Sequence, residues 1–340
     1  MNLEKRIDTL DQLHDVLSPE NPEIKVITEK AYEQNPWFTP GNIFIALKNI
    51  REKFLQKEKL ERWLASYSIP ENITAKAVGI IMAGNLPLVG FHDFLCVLLS
   101  GHRPFIKLSS KDNVLFAFVL EKLFQIDKEL PEWIIVSERL NGMDAMIATG
   151  SNNSSRYFEY YFGKYPHIIR KNRTSVAVLT GKESKEDLEK LGNDIFSFFG
   201  LGCRNVSKLY APENYRFDFF FEAIEPFRQV AGHTKYFNNY EYNRTLLLMN
   251  NIPHLTNDFL LLREEKRLIS PVAEVFYEHY TGRNDLDEKL SLQKENIQCI
   301  IGENYVPFGA AQSPELWDYA DNVDTMKFLT SLGEKHSKLD

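Results

Sequence analysis

The sequence predicts an α/β fold, a doubly wound parallel sheet followed by a second α/β domain, on three observations. Short apolar runs at 77–82 and 104–108 have the composition of strands buried on both faces, and the first closes on a Gly-Asn turn. Longer apolar stretches at 91–100 and 114–124 alternate with them at helical length, which is the spacing of a βαβ array. The 340 residues, 44% of them apolar, suffice for two domains that each bury a core.

Residues 1–70 read as helices with polar breaks. Leu13, Val16 and Leu17 form one apolar stripe, and Phe44, Ile45, Leu47, Ile50 and Phe54 form another. After Pro70 the pattern changes to buried strands. The 77–82 strand closes on Ala83-Gly84-Asn85, then helix 91–100, strand 104–108 and helix 114–124 follow. Strands at 133–136 and 144–148 continue the alternation. The second runs into Thr149-Gly150-Ser151 ahead of a helix carrying Tyr157, Phe158 and Tyr161. Such a turn at a helix start seats phosphate, because unpaired N–H groups and the helix dipole converge there. A strand at 175–179, a helix at 187–199 and the Gly200-Leu201-Gly202-Cys203 turn come next. Beyond Tyr210, helical pieces, chiefly 215–230, mix with strands at 245–249 and 297–302.

The formal charge of -7 is spread over interspersed acids and bases, so no basic face for nucleic acid is expected. The N-terminal segment mixes both charge signs, and the apolar runs are cut by Gly, Pro or His short of membrane-spanning length. The expectation is a soluble, cytoplasmic protein. Cys96, Cys203 and Cys299 lie far apart without zinc-ligand spacing, so neither a disulfide framework nor a metal site is expected.

Cys203 is the first candidate for chemistry. Gly200 and Gly202 let the backbone bend closely, and Arg204 puts a cation beside the sulfur, which favours the reactive thiolate. Taken alone, a cysteine is more often a small core residue, and Cys96 and Cys299, inside apolar runs, read that way. Asn85 and Lys107 end two successive strands. If those strands are adjacent and parallel, both side chains stand at the sheet edge where open α/β folds bind ligands. Each alone reads as a turn former or a solvated strand end.

Together and in this order, these motifs resemble the aldehyde dehydrogenase superfamily, and within it the acyl-CoA reductase branch that includes the fatty-acid reductase of bacterial luminescence. The resemblance covers about 78 to 329. It implies an aldehyde-dehydrogenase-like fold, with N-terminal helices and a cofactor-binding domain over 1–190, a catalytic domain over 191–305, and a segment 306–340 packing back on the cofactor side. Gly84-Asn85-Leu86-Pro87-Leu88 is similar to the strand-end motif whose Asn amide lines the oxyanion hole. Ile106-Lys107-Leu108-Ser109 resembles the cofactor-ribose motif, with Leu108 in place of its Pro, and implies that Lys107 and Ser109 hold the cofactor. Ala148-Thr149-Gly150-Ser151 is similar to the turn under the cofactor pyrophosphate, which implicates Gly150 and Ser151. Phe199-Gly200-Leu201-Gly202-Cys203 matches the nucleophile position, and Val306-Pro307-Phe308-Gly309 the C-terminal Pro-Phe-Gly segment.

Departures from the family pattern narrow the expectation. Where aldehyde-oxidising members carry a water-activating Glu, residues 169–175 hold no carboxylate. An acyl-Cys203 thioester would lack a base for hydrolysis, whereas exchange with a CoA thiolate needs none. After Lys107 come Leu108, Ser109, Ser110 and Lys111, with no acid to repel a ribose 2'-phosphate, so NADPH is expected, with Lys111 as a second cation and NADH as the alternative. Arg267 stands nearest the register of the Glu that holds the nicotinamide ribose, with Glu264 and Glu265 as open substitutes. His233 reads either as an acid or CoA contact or as a loop residue. Phe219, Phe220, Phe221, Tyr236, Phe237, Tyr240 and Tyr242 read as core before acyl tunnel. The expected activity is NADPH-dependent reduction of an acyl thioester, with acyl-CoA as substrate, through Cys203. The alternatives are an acid-forming aldehyde dehydrogenase and a silent cofactor-binding subunit. A homo-oligomer and an acyltransferase or acyl-protein synthetase partner are expected from the resemblance.

Overall fold

The structure, a computed structural model, describes residues 2–70, 73–150 and 152–332. The chain forms two compact units, Met1–Lys171 with the segment from Pro314 onward, and Asn172–Ser313. Among the described residues no helix is long and apolar enough to cross a membrane.

The first unit opens with α1 (Leu3–Val16), α2 (Pro22–Gln34), α3 (Pro40–Asn49), which runs on as a π-helical turn at Ile50–Phe54, and α4 (Lys57–Leu64). Asn2, Asn21 and Thr39 cap the first three through their side-chain oxygens, and Pro22 and Pro40 stand at the first helical position. The expected stripe on α3 is rotated: Ile43, Ala46, Leu47, Ile50 and Phe54 are buried, while Phe44 and Ile45 are exposed. The buried set keeps helical spacing, and the two exposed residues fall off that face.

Then come β1 (Ala77–Ile81), α5 (Phe91–Leu99), β2 (Arg103–Lys107), α6 (Asn113–Ile126), the short α7 (Leu130–Trp133), β3 (Ile135–Val136), β4 (Ala145–Thr149), α8 (Asn152–Phe162) and β5 (His167–Arg170). The strands are all parallel, in the order β3-β2-β1-β4-β5. This is the alternation the sequence predicts, with two differences: Trp133 ends a helical turn instead of starting a strand, and β5 is not anticipated. α5 is buried on nearly every side, and α1 and α2 pack on α6. Strand order reverses between β1 and β4, and in open α/β sheets the crevice outside the carboxyl ends at such a reversal is where ligands bind.

The second unit holds β6 (Thr174–Val178), α9 (Lys185–Phe196), β7 (Val206–Pro212), α10 (Asp218–Ala223), a 3-10 stretch at Glu225–Gly232, α11 (Thr234–Met249), β8 (Leu255–Thr256), β9 (Leu261–Glu264), β10 (Glu274–Tyr280), α12 (Arg283–Leu292) and β11 (Ile297–Ile301). Its sheet runs β11-β6-β7-β10-β9-β8, parallel except for β8 against β9. The chain then returns to the first unit with α13 (Thr325–Ser331), which packs on α5.

Three expectations are corrected here. The strand expected at 245–249 is the last part of α11, whose buried residues Tyr236, Tyr240, Asn243 and Leu247 recur at helical spacing. The helix expected over 215–230 is broken into α10 and the 3-10 stretch, with Pro226 near the start of the latter. The helix expected over 187–199 ends at Phe196. The units divide at 171/172 and 313/314, where the resemblance implies 190/191 and 305/306. The early division follows from β6, which pairs with β7 and β11 in the second sheet.

Candidate active site

At the carboxyl edge of the first sheet, Lys107 ends β2 opposite Ile81 of β1, and its carbonyl accepts the Met82 N–H at 3.1 Å. The chain leaving β1 passes through Gly84 to Asn85, which is exposed. A Cβ on Gly84 would lie 2.7 Å from the Ser109 Cβ and 3.0 Å from the Lys111 Cβ, so the bend after β1 and the loop after β2 touch there. The structure thus brings Asn85, Lys107, Ser109 and Lys111 to one edge. A methyl group at Gly84 must push these loops apart, and Gly84→Ala is expected to cost about 1–3 kcal/mol of stability by urea denaturation.

Two residues not anticipated from the sequence hold the bend. Leu88 adopts φ 56°, and its N–H donates to Asp112 Oδ2 at 2.7 Å. Asp112 is buried, and burial holds its carboxyl well above the usual carboxylate range. On the other side of β1, β4 delivers Gly150 to the start of α8. A Cβ at Gly150 would sit 2.8 Å from both Ser154 Cβ and Phe158 Cε2, so glycine is required for this close packing. Ser151 lies outside the described residues.

Arg170, in the stretch where aldehyde-oxidising members of the family carry a water-activating Glu, closes β5 and is buried. Its Nη2 donates to Asp93 Oδ1 at 2.6 Å and to Thr325 Oγ1 at 2.9 Å, its Nε to Asp93 Oδ2 at 3.2 Å, and its Nη1 to the Ala320 carbonyl at 2.6 Å. This forked pair fastens the segment from Pro314 to the sheet.

In the second unit, Cys203 sits half-buried in the turn that leads into β7. The approach to it is strained: Phe198 and Phe199, both buried, adopt φ 53° and 58°, and Gly200 follows at φ 75°. Left-handed backbone costs a non-glycine residue roughly 1–2 kcal/mol, and it persists where surrounding structure enforces it. The Phe199 ring packs on the His233 ring with centroids 4.3 Å apart. His233 Nδ1 accepts the Tyr236 N–H at 3.3 Å and caps α11, so the ring serves as a cap and packing surface. Tyr236 and Tyr240 are core residues, bonded to the Phe259 carbonyl and to Thr256 Oγ1.

Further residues, whose supporting role is not read from the sequence, hold the turn. Ser175, fully buried on β6, donates its hydroxyl to the Cys203 carbonyl at 3.0 Å. The Cys299 sulfur lies 3.0 Å from the Ser175 hydroxyl oxygen. A hydroxyl has one proton to give, so the Cys299 thiol is the donor in the second contact. Asn205, also buried, accepts the Gly202 N–H on Oδ1 at 2.8 Å, and its Nδ2 donates to the carbonyls of Ser197 at 2.8 Å and Asp194 at 3.0 Å. Asp194 in turn accepts the N–H groups of Gly309 and Ala311, tying the Pro-Phe-Gly segment to α9. Burial pushes its carboxyl up to about 6 against those two donors. The signal for these residues was polar side chains within apolar stretches.

Glu265 is held by Arg267 at 2.8 Å and Arg263 at 3.2 Å, and the Arg267 hydrogen bond foremost draws its carboxyl down to about 2. That carboxylate is committed, and Glu264, exposed at the end of β9, is the open one. A cleft of about 700 Å³ lined by Lys185, Phe221, Glu222, Glu225, Pro226 and Asn257 contains none of the site residues expected from the sequence.

The two sheets and their connections define an aldehyde-dehydrogenase-like fold. Among solved structures, the chain is similar to aldehyde dehydrogenase 21 from Physcomitrella patens, crystallised with succinate, at TM-score 0.67 and 14% identity, over 98% of this chain and 85% of that one. It is similar to an NADP-dependent enzyme of E. coli at TM-score 0.64 and 12% identity, over 88% and 73%. An indole-3-acetaldehyde dehydrogenase of P. syringae, in complex with NAD+, matches at TM-score 0.64 and 10% identity, over 85% and 70%. Identities this low carry the fold alone. No protein-family model matches the sequence, and no curated protein matches it.

Proposed function

We propose that the chain is an NADPH-dependent reductase of acyl thioesters, with acyl-CoA as substrate and Cys203 as nucleophile. The observation that carries this reading is Arg170. In the stretch where hydrolytic relatives would hold a base, a guanidinium stands in a buried ion pair with Asp93. An arginine cannot accept a proton from water, and Asp93 is engaged in the pair. An acyl group on Cys203 is therefore slow to hydrolyse and open to transfer.

Cys203 attacks the thioester carbonyl as the thiolate, the C–S bond to CoA breaks, and the CoA thiolate departs with the electron pair. The resemblance assigns the Asn85 amide to the oxygen on which charge develops. NADPH, when bound, supplies the hydride for the acyl carbon. The resulting thiohemiacetal releases aldehyde, and the electron pair returns to the Cys203 sulfur. The residues fit such a cofactor: Gly150 leaves bare backbone at the start of α8 beside the strand-order reversal, and Lys107 and Ser109 stand across β1 from it. Lys111 is exposed, while Asp112, the nearest acid after β2, is buried against the Leu88 N–H, which leaves the loop without a presented carboxylate and favours a 2'-phosphate.

The test runs the reaction backwards. With a fatty aldehyde and NADP+, NADPH is expected to form with CoA present and to form slower by about 10²–10⁴-fold without it, the usual contribution of a positioned base. Carboxylic acid produced at the full rate without CoA contradicts the proposal.

A further inference from the structure

We infer that Asn205 is the positioning residue of the Cys203 bend, a role that rests on Cys203 being the nucleophile. Residues 202–205 form a turn with Cys203 and Arg204 at its centre, and Asn205 grips Gly202 twice. Its backbone N–H donates to the Gly202 carbonyl at 3.1 Å, and its side-chain Oδ1 accepts the Gly202 N–H at 2.8 Å. The other half of the same amide reaches the end of α9, donating to the carbonyls of Asp194 and Ser197, which a helix terminus leaves unsatisfied. Asn205 is 1% exposed, so these groups have no water to turn to.

The segment between those anchors is Ser197–Gly200, with its left-handed Phe198 and Phe199. One amide thus spans the strained approach, fixing where the strain begins and where the bend starts. Ser175 holds the far side through the Cys203 carbonyl. Only a side chain with both a donor and an acceptor at this reach does the work: aspartate would face two carbonyls with a carboxylate, and serine cannot span both anchors. Released, the approach relaxes and the thiol moves, and a displacement of about 1 Å at a reacting atom can cost about 10²-fold in rate.

The experiment is a rapid-quench measurement of acyl transfer to the full chain carrying Asn205→Ser, with Asn205→Asp as second variant, and circular dichroism to count folded molecules. The expected result is an acylation rate at saturating acyl-CoA lower by about 10²-fold per folded molecule, with the half-saturating concentration within about threefold of wild type. Native acylation per folded molecule in either variant overturns the role, as does failure of both variants to fold, which makes the amide a fold determinant only. Wild-type protein is the separate control: if it never takes up acyl, the reductase reading fails. In that case, iodoacetamide alkylation of Cys203 decides the positioning role. An unchanged plateau rate in Asn205→Ser overturns it.

Discussion

Cys203→Ala is expected to leave a folded protein that neither takes up acyl from acyl-CoA nor consumes NADPH. Loss of a nucleophile that acts with its neighbours as a unit costs on the order of 10⁶-fold in kcat, which here means activity below detection. The fold should survive, because the bend is held by Gly202, Asn205 and the Cys203 carbonyl, none of which the substitution removes. The other cysteines give the contrast. Cys96 is fully buried and burial pushes its thiol well up, so it is inert. The Cys299 thiol is hydrogen-bonded to the buried Ser175 hydroxyl. Cys96→Ala and Cys299→Ala are expected to keep the acyl label that Cys203→Ala loses. Labelling that follows Cys299 would move the nucleophile to β11.

Asn85→Ala is expected to lower kcat by about 10²–10³-fold, the loss typical of one oxyanion donor, with KM within a few-fold. The side chain is exposed, and a urea melt beside the rates separates a loss of chemistry from a loss of fold. That separation makes the kinetic loss readable as chemistry. Steady-state rates with acyl-CoA and NADPH, beside a urea melt, supply both numbers. A kcat equal to wild type removes Asn85 from the mechanism and leaves it as a turn former ahead of Pro87.

The first sheet was legible because its strands are buried on both faces. Apolar runs such as 77–82 have one reading when helical stretches of matching length alternate with them, and the Gly84-Asn85 and Thr149-Gly150 turns mark where those strands end. β5 escaped because four residues, only two of them apolar, between Pro166 and Lys171 carry too little apolar signal. In the second unit, the run at 245–249 satisfies a strand and a helix equally well. Only the burial of Tyr236, Tyr240, Asn243 and Leu247 on one face decides for the helix. The candidate residues themselves were recognised by motif. What holds them was not: the reach of Asn205 to α9 and the Asp112 bond to Leu88 are contacts between residues apart in the chain, and the left-handed backbone of Phe198-Phe199 is one that no side-chain pattern of these two residues records. The division of the chain was displaced for a related reason, since β6 joins a sheet whose other members come later in the sequence.

The most direct test of the central claim is intact mass of the wild-type protein after incubation with acyl-CoA in the absence of NADPH, followed by peptide mapping. The account predicts a mass gain of one acyl group on the peptide containing Cys203, persisting until NADPH is added and then released as aldehyde. A protein that stays at its unmodified mass, or carries the acyl group on another residue, contradicts it.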